Sequence, residues 1–435
     1  MRRNLTEQLT IWKKSPDRKP LLIQGARQVG KTWLMKSFGK ENFKSVAYVN
    51  LEINKELKEV FEQNFNIERI LLAIQITSGV KVIKGETLII IDEIQESAFA
   101  LTSLKYFQEN AKEYFLMAAG SLLGVVLHQQ LSFPVGKVDF LNLYPLNFKE
   151  FLMALEEEEL IQLINNQDWQ LINTFREKYI DLLKQYYFLG GMPEVVEDFI
   201  KNRDYSKARQ IQKGILDAYE QDFSKHAPVE IVPRIRMIWN SIPSQITKEN
   251  KKFIYGQLKQ GARAKDFELA LAWLYDSGLV YRVNKINKPG LPLKAYEDFT
   301  SFKLFMLDLG LLGAFTDLDA KTILQGNHLF EEFKGALTEQ YVLQQLLTKN
   351  IKPFYWSSEN ATAEVDFIIQ VKGAIYPIEV KSEENLKAKS LKVFAEKYKI
   401  PVSIRTSMSP YRKENWLTNV PLFAIGLINF DEDLS

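Results

Sequence analysis

The sequence predicts an α/β protein with a parallel sheet in its first third, a helical middle and a second α/β unit at its end. Three observations carry that prediction. Short apolar runs alternate with amphipathic stretches through residues 20–146, a glycine-rich loop joins the first run to a helix pattern, and strand patterns return late, at Glu364–Val371 and Ala374–Val380. Fully apolar strands separated by helices imply a parallel sheet covered on both faces.

Taken in order, the early runs are Leu21–Gln24, Val46–Leu51, Leu88–Ile91, Phe115–Ala119 and Val138–Leu143, with the amphipathic stretches Lys55–Gln63 and Leu101–Asn110 between them. The nearly apolar run Tyr114–Leu127 contains Gly120, Ser121 and Gly124 and reads as a buried strand running into a helix. Residues 147–200 read as helices up to the break Gly190-Gly191-Met192-Pro193. Residues 205–295 are helical again, but Phe267–Gly278 stops at a glycine and Leu279–Val283 then has a strand pattern. A helix followed by a short hairpin is a winged-helix-like pattern. An amphipathic helix over 330–348 precedes the last two strand patterns, which a turn at Lys372-Gly373 separates. The expected segments are 1–150 for the phosphate-binding domain, 151–204 for a helical lid, 205–295 for the winged-helix-like module and 296–435 for the terminal α/β unit.

Composition narrows the chemistry. The chain has 435 residues, 46% of them hydrophobic, which suits several units that each bury a core. It has no cysteine, which excludes disulfides, thiolate zinc sites and a cysteine nucleophile. Its three histidines, His128, His226 and His328, are far apart, which argues against a histidine metal cluster or a serine–histidine triad. The basic N-terminus lacks a following apolar stretch, and no apolar run reaches the roughly 20 residues of a membrane span, so a soluble cytoplasmic protein is expected. Charge is uneven. Residues 151–200 hold three Lys/Arg against ten Asp/Glu, whereas residues 201–290 hold seventeen against nine. Such asymmetry marks either a partner or nucleic-acid surface or two solvated faces that attract each other.

The glycine-rich loop is Gly25-Ala26-Arg27-Gln28-Val29-Gly30-Lys31-Thr32, a G-x-x-x-x-G-K-T string between strand and helix patterns. Glycines let backbone N–H groups converge on phosphate oxygens, and the helix N-terminus adds partial positive charge. Lys31 is expected to bridge the β- and γ-phosphates of a nucleoside triphosphate, and the Thr32 hydroxyl to ligate Mg²⁺. A second buried run, Thr87–Ile91, delivers Asp92 and Glu93 at its C-terminal end, where open α/β sheets bind ligands. Asp92 is the expected metal partner, and Glu93 the residue that polarises the attacking water. Ser121, after its own apolar strand, reads equally as a γ-phosphate sensor or a helix N-cap. Lys137 reads as a surface lysine, with phosphate contact as the alternative.

The late strands carry a second constellation. Asp366 lies on one, and Glu379 and Lys381 share a face of the next because side chains alternate with period two. If Asp366 pairs nearby, two hard oxygen ligands for Mg²⁺ and an ammonium that positions water converge. Glu339, on the preceding helix, is within reach of the same place. The alternative is a solvent-facing strand with an ordinary Glu–Lys pair.

With these residues in hand, the chain resembles the bacterial and archaeal ATPases that join an AAA-type domain to a C-terminal domain of unknown function with a restriction-endonuclease-like fold. The matching segments are GARQVGKT at 25–32, LIIIDEIQ at 88–95, AAGSLLG at 118–124, YPLNFKEF at 144–151, LGGMPE at 189–194, FSKHAP at 223–228, AWLYDSGLV at 272–280 and the AEVDF…IEVK pair. The resemblance implies ATP as the nucleotide, a winged-helix-like middle module and a PD-(D/E)XK type of tail. Where the family has Gly-Arg before the fifth strand, this chain has Gly136-Lys137, and lysine cannot copy the arginine fork.

The expected function is therefore an ATPase, with ATP and Mg²⁺ as cofactors, coupled to a nucleic-acid-directed nuclease-like module. Its expected catalytic residues are Lys31 and Glu93 in the first site and Asp366, Glu379 and Lys381 in the second. Thr32 and Asp92 are the expected metal ligands of the first site, and Asp366 and Glu379 those of the second. DNA or another nucleic acid, a protein partner and further copies of the chain are the candidate partners, with no membrane. The competing readings are an ATP-dependent interaction switch without nuclease activity, and a DNA-binding regulator acting through residues 201–290.

Overall fold

A computed structural model of the chain describes residues 1–121, 135–248, 251–325, 331–358, 360, 362–384, 388–430 and 432. The helix expected to follow Ser121, with Leu122–Gly124 of the AAGSLLG segment, and the imidazoles of His128 and His328 lie outside the described residues. The chain folds into two compact units, one of residues 2–144 with 276–279, the other of residues 145–275 with 280–435.

The first unit is built on five parallel strands, β1 (Leu21–Gln24), β2 (Ser45–Asn50), β3 (Thr87–Asp92), β4 (Phe115–Gly120) and β5 (Asp139–Asn142), in the order β2-β3-β4-β1-β5. These are the five runs read from the sequence, shifted by at most a residue or two at their ends. All six residues of β3 and of β4 are buried, as continuous apolar runs in a sheet covered on both faces require. Strand alternation sends Leu22, Ala47, Val49, Ile89, Ile91, Leu116 and Ala118 to one face. There they meet Leu57 and Phe61 of the helix Lys55–Gln63, Ile70 and Ile74 of Ile67–Ser78 and Leu104 of Ala98–Asn110. The helix Lys31–Asn42 packs over β2, β3 and β4 with Leu34, Met35 and Phe38 buried.

The second unit combines a helical middle with an eight-stranded mixed sheet. Its strands are β6 (Val280–Ile286), β7 (Glu297–Met306), β8 (Phe354–Ser357), β9 (Glu364–Val371), β10 (Ala374–Val380), β11 (Ser403–Ser407), β12 (Arg412–Lys413) and β13 (Leu417–Pro421), in the order β12-β13-β11-β10-β9-β8-β6-β7. β9 and β10 have the bounds read from the sequence, and Lys372 and Gly373 turn between them with φ of 43° and 83°. β6 and β7 form an antiparallel hairpin after the helix Ala264–Asp276, and β6 also pairs with β8. The segment boundary expected at 295/296 thus falls between the two strands of one hairpin, which extends the terminal sheet.

The helix Glu331–Thr348 is tied to this unit by side-chain amides. Gln340 exchanges hydrogen bonds with the Met306 backbone, Gln344 caps Leu307 and Leu309, and Gln345 accepts from the Phe148 N–H. Asp308, fully buried, accepts from the N–H of Gly191 at 2.7 Å and of Leu311 at 3.0 Å. One carboxylate therefore joins the glycine break of the middle helices to the start of the helix Leu309–Phe315. This matters for function because the face of the sheet bearing Asp366 and Glu379 is fixed against Glu339 by that same long helix.

Candidate functional site

In the first unit, β1 ends at Gln24, and the chain turns through Gly25–Gly30 before the helix at Lys31. Gly25 has φ 149°, and an added Cβ would stand 2.2 Å from the Leu143 carbonyl oxygen, so no side chain fits where the loop passes β5. Gln28 and Gly30 are left-handed, at φ 65° and 94°, which folds the loop back over the helix N-terminus. The buried Arg3 straps it down, donating to Val29 O at 2.9 Å and Tyr144 O at 2.6 Å. Backbone N–H groups at such a curled helix start form an anion cradle.

Lys31, 6% exposed, donates to the carbonyls of Gly25 at 2.8 Å and Ala26 at 2.7 Å. Burial pushes its pKa down to about 8, with Glu93 and Asp92 pulling it back. The Thr32 hydroxyl donates to Asp92 Oδ2 at 2.6 Å, and the Tyr48 hydroxyl to the same oxygen at 3.1 Å. Burial, and then Asp92, pushes Tyr48 up to about 12. Glu93 is left-handed at φ 51°; its N–H donates to Asp92 Oδ1 at 3.1 Å. Its side chain accepts from Gln95 Nε2 at 2.6 Å and Ser121 Oγ at 3.3 Å.

The sheet order explains the convergence. β4 lies between β1 and β3, so Ser121, just beyond β4, comes out beside Gly25 and Asp92 at the C-terminal edge. The contact that Ser121 makes here is its bond to Glu93, which is neither of its two sequence readings, and the segment an N-cap would start lies outside the described residues. Lys137 pairs with Glu109 at 2.9 Å, with more than a third of each side chain exposed or nearly so, and is a surface lysine. Tyr48, Gln95 and Arg3 were not picked out from sequence. Gln95 carried a signal, two residues beyond Glu93 in the same string. Tyr48 reaches the site through the pairing of β2 with β3, and Arg3 through packing of the N-terminal segment on the loop. Gly278, at φ +73°, belongs to this unit as well, and an added Cβ there would stand 3.3 Å from Ala26 N.

In the second unit, Asp366, Glu379, Lys381 and Glu339 converge. Lys381 Nζ lies 2.7 Å from Glu379 Oε1, and the Val380 N–H donates to Asp366 Oδ2 at 2.8 Å. Glu339 and Glu379 are buried. Asp366 keeps part of its surface open, yet burial, then Glu339 and Glu379, push its carboxyl well above the usual range. Burial also raises Glu379, with Lys381 pulling it back. Two further lysines stand in the cluster. Lys303 of β7, fully buried, lies 2.5 Å from Glu364 and 3.5 Å from Glu339, and Lys251 pairs with Glu339 Oε1. Burial opposes the Glu339 carboxylate, but Lys251 and Lys303 outweigh it and hold its pKa below the ordinary value. Burial likewise opposes the Lys303 ammonium, and Glu339, Glu364 and Asp366 reverse it. The sequence offered one hint of Lys303, a single charge inside the apolar run Phe302–Met306.

Hard carboxylate oxygens suit a divalent cation; among the described residues Glu379 Oε2 is buried without a hydrogen-bond partner, while Glu339 Oε2 faces the Lys303 ammonium at 3.5 Å. The donor chemistry fits. The spacing is a different matter: among the described residues no three His, Cys, Asp or Glu stand close enough together to hold a metal ion. In the basic segment 201–290, Lys251 is turned inward to Glu339, while Arg263 and Lys265 are exposed at the start of the helix Ala264–Asp276.

Residues 17–152 match the family model of the AAA domain. The N-terminal region is an AAA-type ATPase domain. Residues 180–322 match a Domain of unknown function (DUF8612) and residues 334–425 a second (DUF4143), so the family matches bring no function to the C-terminal regions. Among solved structures, the Walker-type ATPase of Pyrococcus abyssi is 16% identical, with 73% of this chain and 95% of that one covered at a TM-score of 0.47. The Aeropyrum pernix ORC1 protein in complex with DNA is 14% identical over 72% and 90% of the two chains, TM-score 0.29. The Thermotoga maritima RuvB Holliday junction branch migration motor is 13% identical over 64% and 89%, TM-score 0.30. Likenesses this remote add nothing to the functional case. No curated protein matches the chain. Among the described residues no helix is long and apolar enough to cross a membrane.

Proposed function

We propose that the chain hydrolyses ATP with Mg²⁺ at Gly25–Thr32 and couples the cycle to a nucleic-acid-directed C-terminal module. The observation that carries the first half is the 2.6 Å bond between Thr32 and Asp92, with Glu93 held beside it by Gln95 and Ser121. The backbone of Gly25–Lys31 cradles the phosphates, and Lys31 leaves the Gly25 and Ala26 carbonyls to meet the β- and γ-oxygens. Thr32 and Asp92 would hold Mg²⁺, which when bound would supply positive charge beside the phosphates. Glu93 accepts the proton of the attacking water, and Ser121 fixes the orientation of that carboxylate. Equilibrium ATP binding and phosphate release test the assignment. Glu93→Gln keeps ATP bound and loses turnover; a Glu93→Gln protein with normal turnover removes Glu93 as the base.

For the tail, the convergence of Glu339, Asp366, Glu379 and Lys381 favours a restriction-endonuclease-like core that cleaves phosphodiesters. Asp366 and Glu379 would hold the cation, and Lys381 would position the water. Arg263 and Lys265, on a winged-helix-like module, are the candidate backbone contacts. Incubation with Mn²⁺ and mixed DNA and RNA reads cleavage directly. Activity that survives Asp366→Ala and Glu379→Ala belongs to something other than this cluster and leaves the tail an interaction module.

A further inference from the structure

Among the described residues three donors meet the Asp92 carboxylate, and one of them comes from outside both the glycine-rich loop and the acid pair. The Thr32 and Tyr48 hydroxyls share Oδ2, at 2.6 and 3.1 Å, and the Glu93 N–H takes Oδ1 at 3.1 Å. Thr32 lies in the phosphate-binding motif, and Glu93 is the proposed base. Tyr48 stands on β2, which β3 and β4 separate from the loop's own strand β1.

Strand alternation aims the phenol. Ala47 and Val49 face the apolar core, so Tyr48 and Asn50 face the helix Lys31–Asn42. β2 and β3 run in register, Tyr48 opposite Ile90 and Asn50 opposite Asp92, so the half-buried ring reaches one residue pair along to the carboxylate. Lys36, one helical turn past Thr32, holds the ring from the helix side, with its ammonium 3.4 Å from the ring centroid. Burial, and then Asp92, keep the phenol protonated up to about 12, so at neutral pH the hydroxyl is a donor.

We propose that Tyr48 is a positioning residue for the nucleotide site: its hydroxyl fixes Asp92 with Oδ2 toward Thr32 and Oδ1 toward the Glu93 N–H. Glu93 sits at φ 51°, a conformation uncommon outside glycine, and the Oδ1 bond is the one its N–H makes there. Gln95 and Ser121 hold the Glu93 carboxylate, and Tyr48, through Asp92, holds its backbone end. This role rests on the ATPase reading of the first unit.

Tyr48→Phe removes the hydroxyl and keeps the ring beside Lys36. In the full-length, nucleotide-free protein the Glu93 amide is expected to exchange its hydrogen about tenfold faster, with the amides of Leu88–Ile91 unchanged. In turnover, kcat is expected to fall about tenfold while the Kd for ATP stays within about twofold. Lys36→Met, which frees the ring, is expected to lower kcat about threefold by itself and to add nothing to Tyr48→Phe. Faster exchange spread evenly over residues 88–93, or equal losses of kcat and ATP affinity, would mean that the phenol only packs the sheet, and overturns the positioning role. Unchanged exchange at Glu93 with unchanged kcat also overturns it and leaves the ATPase reading standing. No phosphate release from the unsubstituted chain overturns the ATPase reading and the role of Tyr48 with it.

Discussion

The protein carries two buried acid–lysine clusters, and they are neutralised in opposite ways. At the P-loop, Asp92 and Glu93 are met by neutral donors: the hydroxyls of Thr32, Tyr48 and Ser121 and the amide of Gln95. Lys31 spends its protons on backbone carbonyls. In the second unit, Glu339, Glu364 and Glu379 are met by ammonium groups. Hydrogen bonds from neutral donors to a carboxylate, each worth about 1.5–3 kcal/mol net, leave the donor uncharged when an arriving cation replaces it. A buried ion pair does not, because the charge left behind keeps its desolvation penalty. The first cluster is therefore built to receive charge, the second to hold it internally.

The contrast is broken most severely at Lys303. Lys303→Met takes its ion-pair partner from the half-buried Glu364 and leaves the buried Glu339 to Lys251, and is expected to cost about 3–5 kcal/mol of stability, read from denaturant midpoints. A loss under about 1 kcal/mol would mean the terminal cluster tolerates unpaired charge as the P-loop does. Next is Lys31→Ala, which removes the donor that the Gly25 and Ala26 carbonyls share and a charged donor from the phosphates. ATP affinity is expected to fall about 10- to 100-fold, with a smaller loss in the unfolding midpoint. Gly278→Ala forces a left-handed residue against Ala26 and is expected to destabilise the first unit by about 1–2 kcal/mol, seen as faster amide exchange in residues 21–32. The smallest effect is in pH. Lys31 titrates near 8 without nucleotide, so phosphate binding above that pH must first recover the proton. ATP affinity should be flat below pH 8 and weaken as pH rises beyond it, by up to about tenfold per unit, a slope that Lys31→Ala removes.

The same contrast sets what could be read from sequence. The P-loop site is local chemistry: G-x-x-x-x-G-K-T and Asp92-Glu93 sit at strand ends that the apolar runs already mark, so strands, loop and helix follow from neighbours in the chain. Asp366, Glu379 and Lys381 were legible for the same reason, since a two-strand hairpin with a Lys-Gly turn places them. Lys251 and Lys303 were not. Each meets Glu339 across a long stretch of chain, through pairing of β6 with β8 and through the glutamines of the helix Glu331–Thr348. Sheet pairing at such separations depends on which edges remain open after the rest has packed, which period-two alternation does not specify. The turn that stops the helix at Gly278 and the hairpin after it are legible in the chain, but that β6–β7 joins the terminal sheet and that Gly278 stands against Ala26 depend on such distant packing.

That turn also governs the order in which the molecule can be made. The AAA-type unit is not one stretch of chain: residues 276–279 belong to it and are separated from residues 2–144 by the whole helical middle region. A chain emerging from the ribosome can form β1–β5 early, but Ala26 receives its covering turn only after that region has been synthesised. A fragment cut near residue 150 would carry the full phosphate-binding motif and lack this last piece, so its loop would be open on the side that Gly278 closes in the whole protein.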